Sequence, residues 1–200
     1  MKLTQSDKII LCKTLIHCLA LGFLSVYYYL AIIDQLGGDP VEAIIHFTGI
    51  GALNLLLITL LVSPVAKGLK QSWLMQCRRL LGLYAFVYAL CHLANFIFFE
   101  LQFDFSLLVA EIIDRPYITV GMAAFVIILL LALTSPKIVQ RKMKQNWQKL
   151  HNFNYILVIL VCIHFYWSVK SEIIEPSIYI IVSAFLLYLR RDKIKRWLKP

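Results

Sequence analysis

Long apolar runs dominate this sequence of 200 residues and constrain its fold more than any other feature. A run of about 20 residues crosses a hydrocarbon layer about 30 Å thick as an α-helix. Because a bilayer offers no water to pair with backbone groups, such runs are predicted to be helical. We predict six, at residues 14–33, 43–65, 79–99, 116–135, 151–169 and 173–189. The composition, 60% hydrophobic and 16% charged, agrees with an all-α integral membrane protein.

The basic residues are divided unevenly between the two ends of these runs. The N-terminus, segments 64–79 and 136–150 and the C-terminal tail hold 18 of the 20 Lys and Arg residues, and the opposite segments hold only Arg115 and Lys170. Lys and Arg in short loops mark the cytoplasmic side, so we predict a six-helix transmembrane bundle with both termini cytoplasmic. Basic segments between apolar runs are expected to contact anionic lipid, or else a phosphate or propionate group. Nucleic acid is not an expected partner.

All five histidines lie in or at the end of a predicted helix. They are His17, His46, His92, His151 and His164. Ionisable side chains inside a membrane are costly, so a functional role is the default hypothesis. His92 and His164 lie near the outer ends of two helices that run in the same direction, and we expect them at a similar depth. Two imidazoles on opposite sides of a haem give six-coordinate iron, which favours electron transfer.

His151 is predicted to be a further haem ligand, in the inner leaflet. It lies 13 residues before His164, or about 20 Å along a helix. On an ideal helix that spacing sets the two side chains about 140° apart, so a shared face requires an irregularity near the helix start. His17 and His46 each have three possible interpretations: a haem ligand, a hydrogen-bonding residue of a quinone site or a structural cap. The five cysteines form no C-x-x-C motif, so neither zinc nor a disulfide framework is favoured.

Several blocks of the sequence resemble the MsrQ (formerly YedZ) family, within the wider ferric reductase-like transmembrane family. They are DP at 39–40, HFTG at 46–49, RRLLGL at 78–83, HL at 92–93, RPYITVG at 115–121, HNFNY at 151–155 and HFYWSVK at 164–170. The resemblance implies that residues 1–200 form a single ferric reductase-like transmembrane domain in the bacterial inner membrane.

The same resemblance implies a function. Family members are haem-binding membrane subunits of a periplasmic methionine sulfoxide reductase system, which repairs oxidised proteins. The cofactors implied are one or two b haems and FMN, and the partners implied are membrane quinol and the periplasmic molybdopterin subunit MsrP. The chain is then an electron-transfer subunit and not the subunit that reduces methionine sulfoxide.

The sequence departs from the wider family at one position. That family places two histidines on its third helix and two on its fifth, and the fourth position falls here at Arg78 or Arg79. His17 is one substitute ligand; alternatively, the arginines bind haem propionates or an FMN phosphate, which guanidinium holds bidentately.

Two other functions compete with this one. No Gly-rich dinucleotide fingerprint occurs in the sequence, so electrons are expected from a partner or from quinol. The nearest alternative is a cytochrome b membrane anchor of another periplasmic or respiratory oxidoreductase. The other is a small transporter or channel with structural histidines.

Overall fold

The computed structural model describes residues 4–169 and 172–198, and every regular element within these ranges is helical. A 3₁₀ turn, Ser72–Cys77, precedes α3, and a π-helical turn, Phe96–Glu100, follows it. The α-helices are α1 (Gln5–Ile32), α2 (Pro40–Gly68), α3 (Arg78–Asn95), α4 (Phe105–Asp114), α5 (Pro116–Leu133), α6 (Lys137–Met143), α7 (Gln145–His151), α8 (Asn154–Ser168), α9 (Ile174–Tyr188) and α10 (Arg191–Leu198).

Short polar signals set the starts of the first two helices. Thr4 and Asp7 form a reciprocal capping box at α1, in which each side chain accepts a hydrogen bond from the other residue's backbone N–H. At α2 the carboxylate of Asp39 accepts from the N–H groups of Val41 and Glu42 at 3.0 and 2.9 Å. Pro40, which has no N–H to satisfy, occupies the first position of that helix.

The prediction of an all-α membrane protein is confirmed. In the part of the chain that the structure describes, five helical segments are long and apolar enough to cross a membrane: Gln5–Ile32, Pro40–Gly68, Ser72–Glu100, Pro116–Leu133 and Gln145–Ser168. The segment predicted at 173–189 forms a shorter apolar helix of 15 residues, Ile174–Tyr188.

The structure differs from the predicted helices in several details. The Ser63-Pro64 pair is a turn signal in the sequence, but that prediction is wrong, because α2 continues through Pro64 to Gly68. The short helices α4, α6 and α10 were not predicted, since each is shorter than a membrane span. The predicted helix at 151–169 is interrupted at Asn152-Phe153, between α7 and α8. Lys170, assigned above to an outer segment, lies outside the described residues.

The helices group into two compact units, the first ending at Asp104 and the second beginning at Phe105. In the first unit, α2 packs along α3, and Thr48 and Ala85 are the most buried side chains of those two helices. The hydroxyl of Tyr88 in α3 donates to the carbonyl of Ala20 in α1 at 2.7 Å. This bond ties α1 to α3.

In the second unit, α8 is the central helix. It packs on one side against α5 and on another against α9. Its residues Leu157 and Val158 are almost completely buried. The thiol of Cys162 donates to the hydroxyl of Ser183 in α9 at 3.1 Å.

Candidate functional site

The ring of His92 is held by the backbone of the neighbouring helix in the first unit. Its Nδ1 lies 2.9 Å from the carbonyl oxygen of Ile45 in α2. A carbonyl oxygen only accepts hydrogen bonds, so Nδ1 carries the proton. The neutral ring then has its lone pair on Nε2, the nitrogen through which histidine commonly binds a metal. A hydrogen bond of this kind on the second nitrogen is the usual companion of a metal-binding histidine.

Gly49 lets the ring approach α2 this closely. It lies one turn after Ile45, and a Cβ added at Gly49 would be 3.0 Å from both Cε1 and Nδ1 of His92. Any larger residue there would press directly on the imidazole.

The second unit contains the same arrangement around His164. Nδ1 of this residue, in α8, lies 2.7 Å from the carbonyl oxygen of Tyr117 in α5, so Nε2 again bears the lone pair. One turn after Tyr117 comes Gly121, where an added Cβ would be 2.7 Å from Nδ1 and 2.8 Å from Cε1 of the ring.

The two arrangements have identical spacing along the chain. Each histidine follows its carbonyl partner by 47 residues, and each glycine follows that partner by four. The residues around them show little likeness, so only the spacing, and no run of matching residues, carries this repeat in the sequence. Both glycines lie in blocks that resemble the MsrQ family, but sequence reasoning did not assign them a role. The equal spacing was the signal that would have found them.

His151 is held differently from the other two predicted haem ligands. Its ring stacks on Trp147 with 3.9 Å between centroids, and Trp147 Nε1 donates to the Thr134 carbonyl. His151 Nε2 lies 3.1 Å from the Thr134 hydroxyl, which itself donates to the Leu130 carbonyl at 2.6 Å. The hydroxyl hydrogen of Thr134 is therefore already donated to Leu130, and Nε2–H of His151 is the donor to the Thr134 oxygen. Nε2 would have to release Thr134 before it bound iron.

The remaining two histidines are on the protein surface. His17 in α1 is exposed, and its Nδ1 lies 2.5 Å from the hydroxyl of Tyr84 in α3. The two rings meet edge to face. His46 is exposed on α2. His17 is thus held by a neighbour in α3 of the first unit.

Three arginines lie at helix ends near the predicted cytoplasmic side. Arg78 is half-buried and its Nε donates to the Thr59 carbonyl at 3.2 Å, whereas Arg79 is exposed. Arg190, which sequence reasoning did not single out, is only 4% exposed. Burial lowers the pKa of its guanidinium, and a hydrogen bond with Tyr155 raises it. Sequence position alone did not distinguish it from the other basic residues of the tail.

The donor set fits haem better than a metal ion held by protein ligands alone. Within residues 4–169 and 172–198, no group of three or more His, Cys, Asp or Glu side chains could hold a metal ion. Haem needs only axial ligands from the protein, because the macrocycle supplies the other four nitrogens. His92 and His164, each with Nε2 as the lone-pair nitrogen, are suited to that task.

Comparison with known proteins agrees with a haem-binding membrane protein. The family described as "Ferric reductase like transmembrane component" matches residues 47–162. A relative from Pectobacterium atrosepticum, named protein-methionine-sulfoxide reductase heme-binding subunit MsrQ, is 46% identical over 188 residues, covering 92% of this chain and 94% of that protein. A relative from Salmonella arizonae with the same name is 43% identical over 200 residues, covering 98% and 99%. No solved structure matches the chain.

These relatives cover nearly the whole chain, and the family match spans more than half of it. With the apolar helices described above, they identify a multi-pass protein of the bacterial inner membrane. The chain therefore belongs to the ferric reductase-like transmembrane family and, within it, to the family of MsrQ heme-binding subunits.

Proposed function

We propose that this protein is a b-type haem subunit that carries electrons across the inner membrane to a periplasmic methionine sulfoxide reductase. The names of its relatives support haem binding and a place in such a reductase system. The observation that carries the proposal is the matched pair of histidines, each of which donates from Nδ1 to a backbone carbonyl and has its lone pair on Nε2.

In this proposal His92 and His164 are axial ligands of haem iron. Bound haem b supplies one-electron redox chemistry, and an iron with two histidine ligands has no open position for oxygen. The protein's part is to hold each ring in one tautomer and one orientation. Because the sequence predicts the two histidines at a similar depth on parallel helices, we expect them to ligate the same haem. His46, which is exposed on α2, is not one of this pair and stays a candidate ligand, quinone-site hydrogen bonder or structural cap.

His151 is proposed as a ligand on the cytoplasmic side, after its Nε2 has released Thr134. His17 is the candidate for the fourth ligand position of the wider family, which falls at Arg78 or Arg79 in this sequence. Arg78 is instead, with Arg79, a candidate for an anion site. Arg79 is proposed to bind a haem propionate or an FMN phosphate, because its guanidinium is exposed at the start of α3.

The proposed route begins at membrane quinol and ends at the periplasmic molybdopterin subunit MsrP. Quinol oxidation releases two electrons and two protons. Reduction of one methionine sulfoxide consumes two electrons and two protons and forms methionine and water, so the two reactions balance. Six spans with both termini cytoplasmic are proposed for this route, on the basis of the uneven division of Lys and Arg.

Reconstitution tests this function. The full chain is placed in proteoliposomes with a short-chain quinol, MsrP is added on the periplasmic side, and methionine formed from a sulfoxide-containing protein is measured. Wild-type protein should support turnover, whereas His92→Ala and His164→Ala should abolish it. Haem that is reduced by quinol without any sulfoxide reduction would refute the partner assignment and favour a cytochrome b anchor of another oxidoreductase.

A further inference from the structure

We propose that Gly49 and Gly121 are positioning residues for the haem ligands, and that each acts by uncovering the backbone carbonyl to which its histidine donates. The inference rests on the proposed function, because it assigns these glycines to the haem site. It extends that function from the two ligands to the helices α2 and α5 that orient them.

Side chains on an α-helix all lean in one direction along its axis. Each Cα–Cβ bond tilts towards the helix N-terminus, so the side chain of a residue lies over the turn that precedes it. A side chain at position 49 or 121 would therefore cover the flank of the carbonyl four residues earlier. Glycine leaves that flank open, and the carbonyl can accept a second hydrogen bond beside its intrahelical one.

The distances indicate how little space the two sites have. Apolar atoms pack best at about 3.5–4.0 Å, whereas an added Cβ would be 3.0 Å from the His92 ring at Gly49 and 2.7 Å from the His164 ring at Gly121. The imidazole would have to move by roughly 0.5–1 Å at Gly49 and roughly 0.8–1.3 Å at Gly121 to relieve the contact. Because Nδ1 is itself one of the nearest atoms in both cases, that movement lengthens the hydrogen bond to the carbonyl.

A methyl group at either position is therefore expected to change how the histidine binds haem, and not only how the helices pack. Without its carbonyl partner the ring loses the restraint on its tautomer and on its rotation relative to the haem. Loss of such outer partners typically costs about 10–100-fold in metal affinity. We expect the larger loss for Gly121→Ala, which has the shorter contacts, and a smaller one for Gly49→Ala.

The chain provides two kinds of matched control. Gly22 in α1 has no atom within 4 Å of an added Cβ, and Gly82 in α3 has only a Thr59 methyl group at 4.0 Å. Alanine at these positions tests the general effect of the substitution in a helix. At Gly51 in α2 the added Cβ would press on the ring of Tyr88. Gly51→Ala thus disturbs the same α2–α3 contact without touching a histidine.

The experiment uses the full chain in detergent or nanodiscs. Haem per protein, the electron paramagnetic resonance g-values of the ferric haem and its midpoint potential are measured for each variant, and folding is checked by size-exclusion chromatography. Gly121→Ala and Gly49→Ala should lower haem affinity, about tenfold or more for the former, and shift the g-values and the potential. Gly22→Ala, Gly82→Ala and folded Gly51→Ala should resemble wild type.

Two results would overturn the inference. One is full haem content with unchanged g-values in folded Gly121→Ala and Gly49→Ala. The other is the same spectral shift in Gly51→Ala, which would indicate general loosening of the helices. If Gly121→Ala does not accumulate, the result for Gly49→Ala decides the test, because its added Cβ is farther from the histidine ring. Wild-type protein without a b-haem spectrum would instead refute the proposed function itself, so the two failures are distinguishable.

Discussion

Thr134→Val tests the proposed role of His151 as a haem ligand. Valine keeps the branched shape of threonine and removes only the hydroxyl that accepts from His151 Nε2 at 3.1 Å. The carbonyl of Thr134, which accepts from Trp147 Nε1, is unchanged by the substitution. The variant therefore removes a contact that competes with iron for Nε2.

The size of the effect follows from this hydrogen bond. A typical intramolecular hydrogen bond contributes about 0.5–1.5 kcal/mol net. Haem binding at His151 must break that bond in wild type but not in Thr134→Val. We therefore expect the variant to bind haem at this position roughly twofold to tenfold more tightly.

The assay isolates the His151 site. Apo protein carrying His92→Ala and His164→Ala is titrated with haem in nanodiscs, and binding is followed by absorption in the presence and absence of Thr134→Val. His151→Ala should abolish the titration. Adding Thr134→Val to His151→Ala should then change nothing, because the substitution acts only through that ring.

Lower haem affinity in Thr134→Val would contradict this reasoning. It would indicate that the hydroxyl orients the ring for ligation and does not compete with it. Unchanged affinity would show that iron is bound through Nδ1, or that His151 is not a ligand.

Two further predictions concern the first unit. The thiol sulfurs of Cys12 and Cys77 are 3.2 Å apart, so copper–phenanthroline should oxidise them to a disulfide, with two electrons passing to the oxidant and two protons to solvent. The thiols that react with maleimide after the protein is then unfolded should fall from five to three. Five reactive thiols after oxidation would contradict the packing of α1 against the 3₁₀ turn. Arg79→Lys should weaken binding of a haem propionate or FMN phosphate, because an ammonium cannot pair bidentately, and Arg79→Gln should weaken it more. Equal affinities of both variants and wild type in a titration would exclude Arg79 from the anion site.

The sequence predicted the membrane helices well because one physical requirement dominates them. Backbone groups in hydrocarbon must pair within the segment, so an apolar run of sufficient length has no alternative to a helix. Helices without that requirement, such as α4 and α10, were missed because they are short and carry charges. The interruption at Asn152-Phe153 lies near the helix start, where a shared face for His151 and His164 would require an irregularity.

The candidate site was predicted only in part. The cost of burying an ionisable group selected His92 and His164, but not the partners that hold them. Those partners are the carbonyl of Ile45 and the carbonyl of Tyr117, and a backbone acceptor leaves no mark on residue type. These hydrogen bonds depend on which helices pack together. The burial of Arg190 likewise depends on packing, and its place at the start of a basic tail suggested an exposed residue.

The reduced-minus-oxidised absorption spectrum of the purified full chain tests the central claim most directly. Wild-type protein should show a b-haem band, His92→Ala and His164→Ala should each lose the same component of it, and His46→Ala should keep it. Full retention of that component in either of the first two variants would contradict the assignment of His92 and His164 as haem ligands.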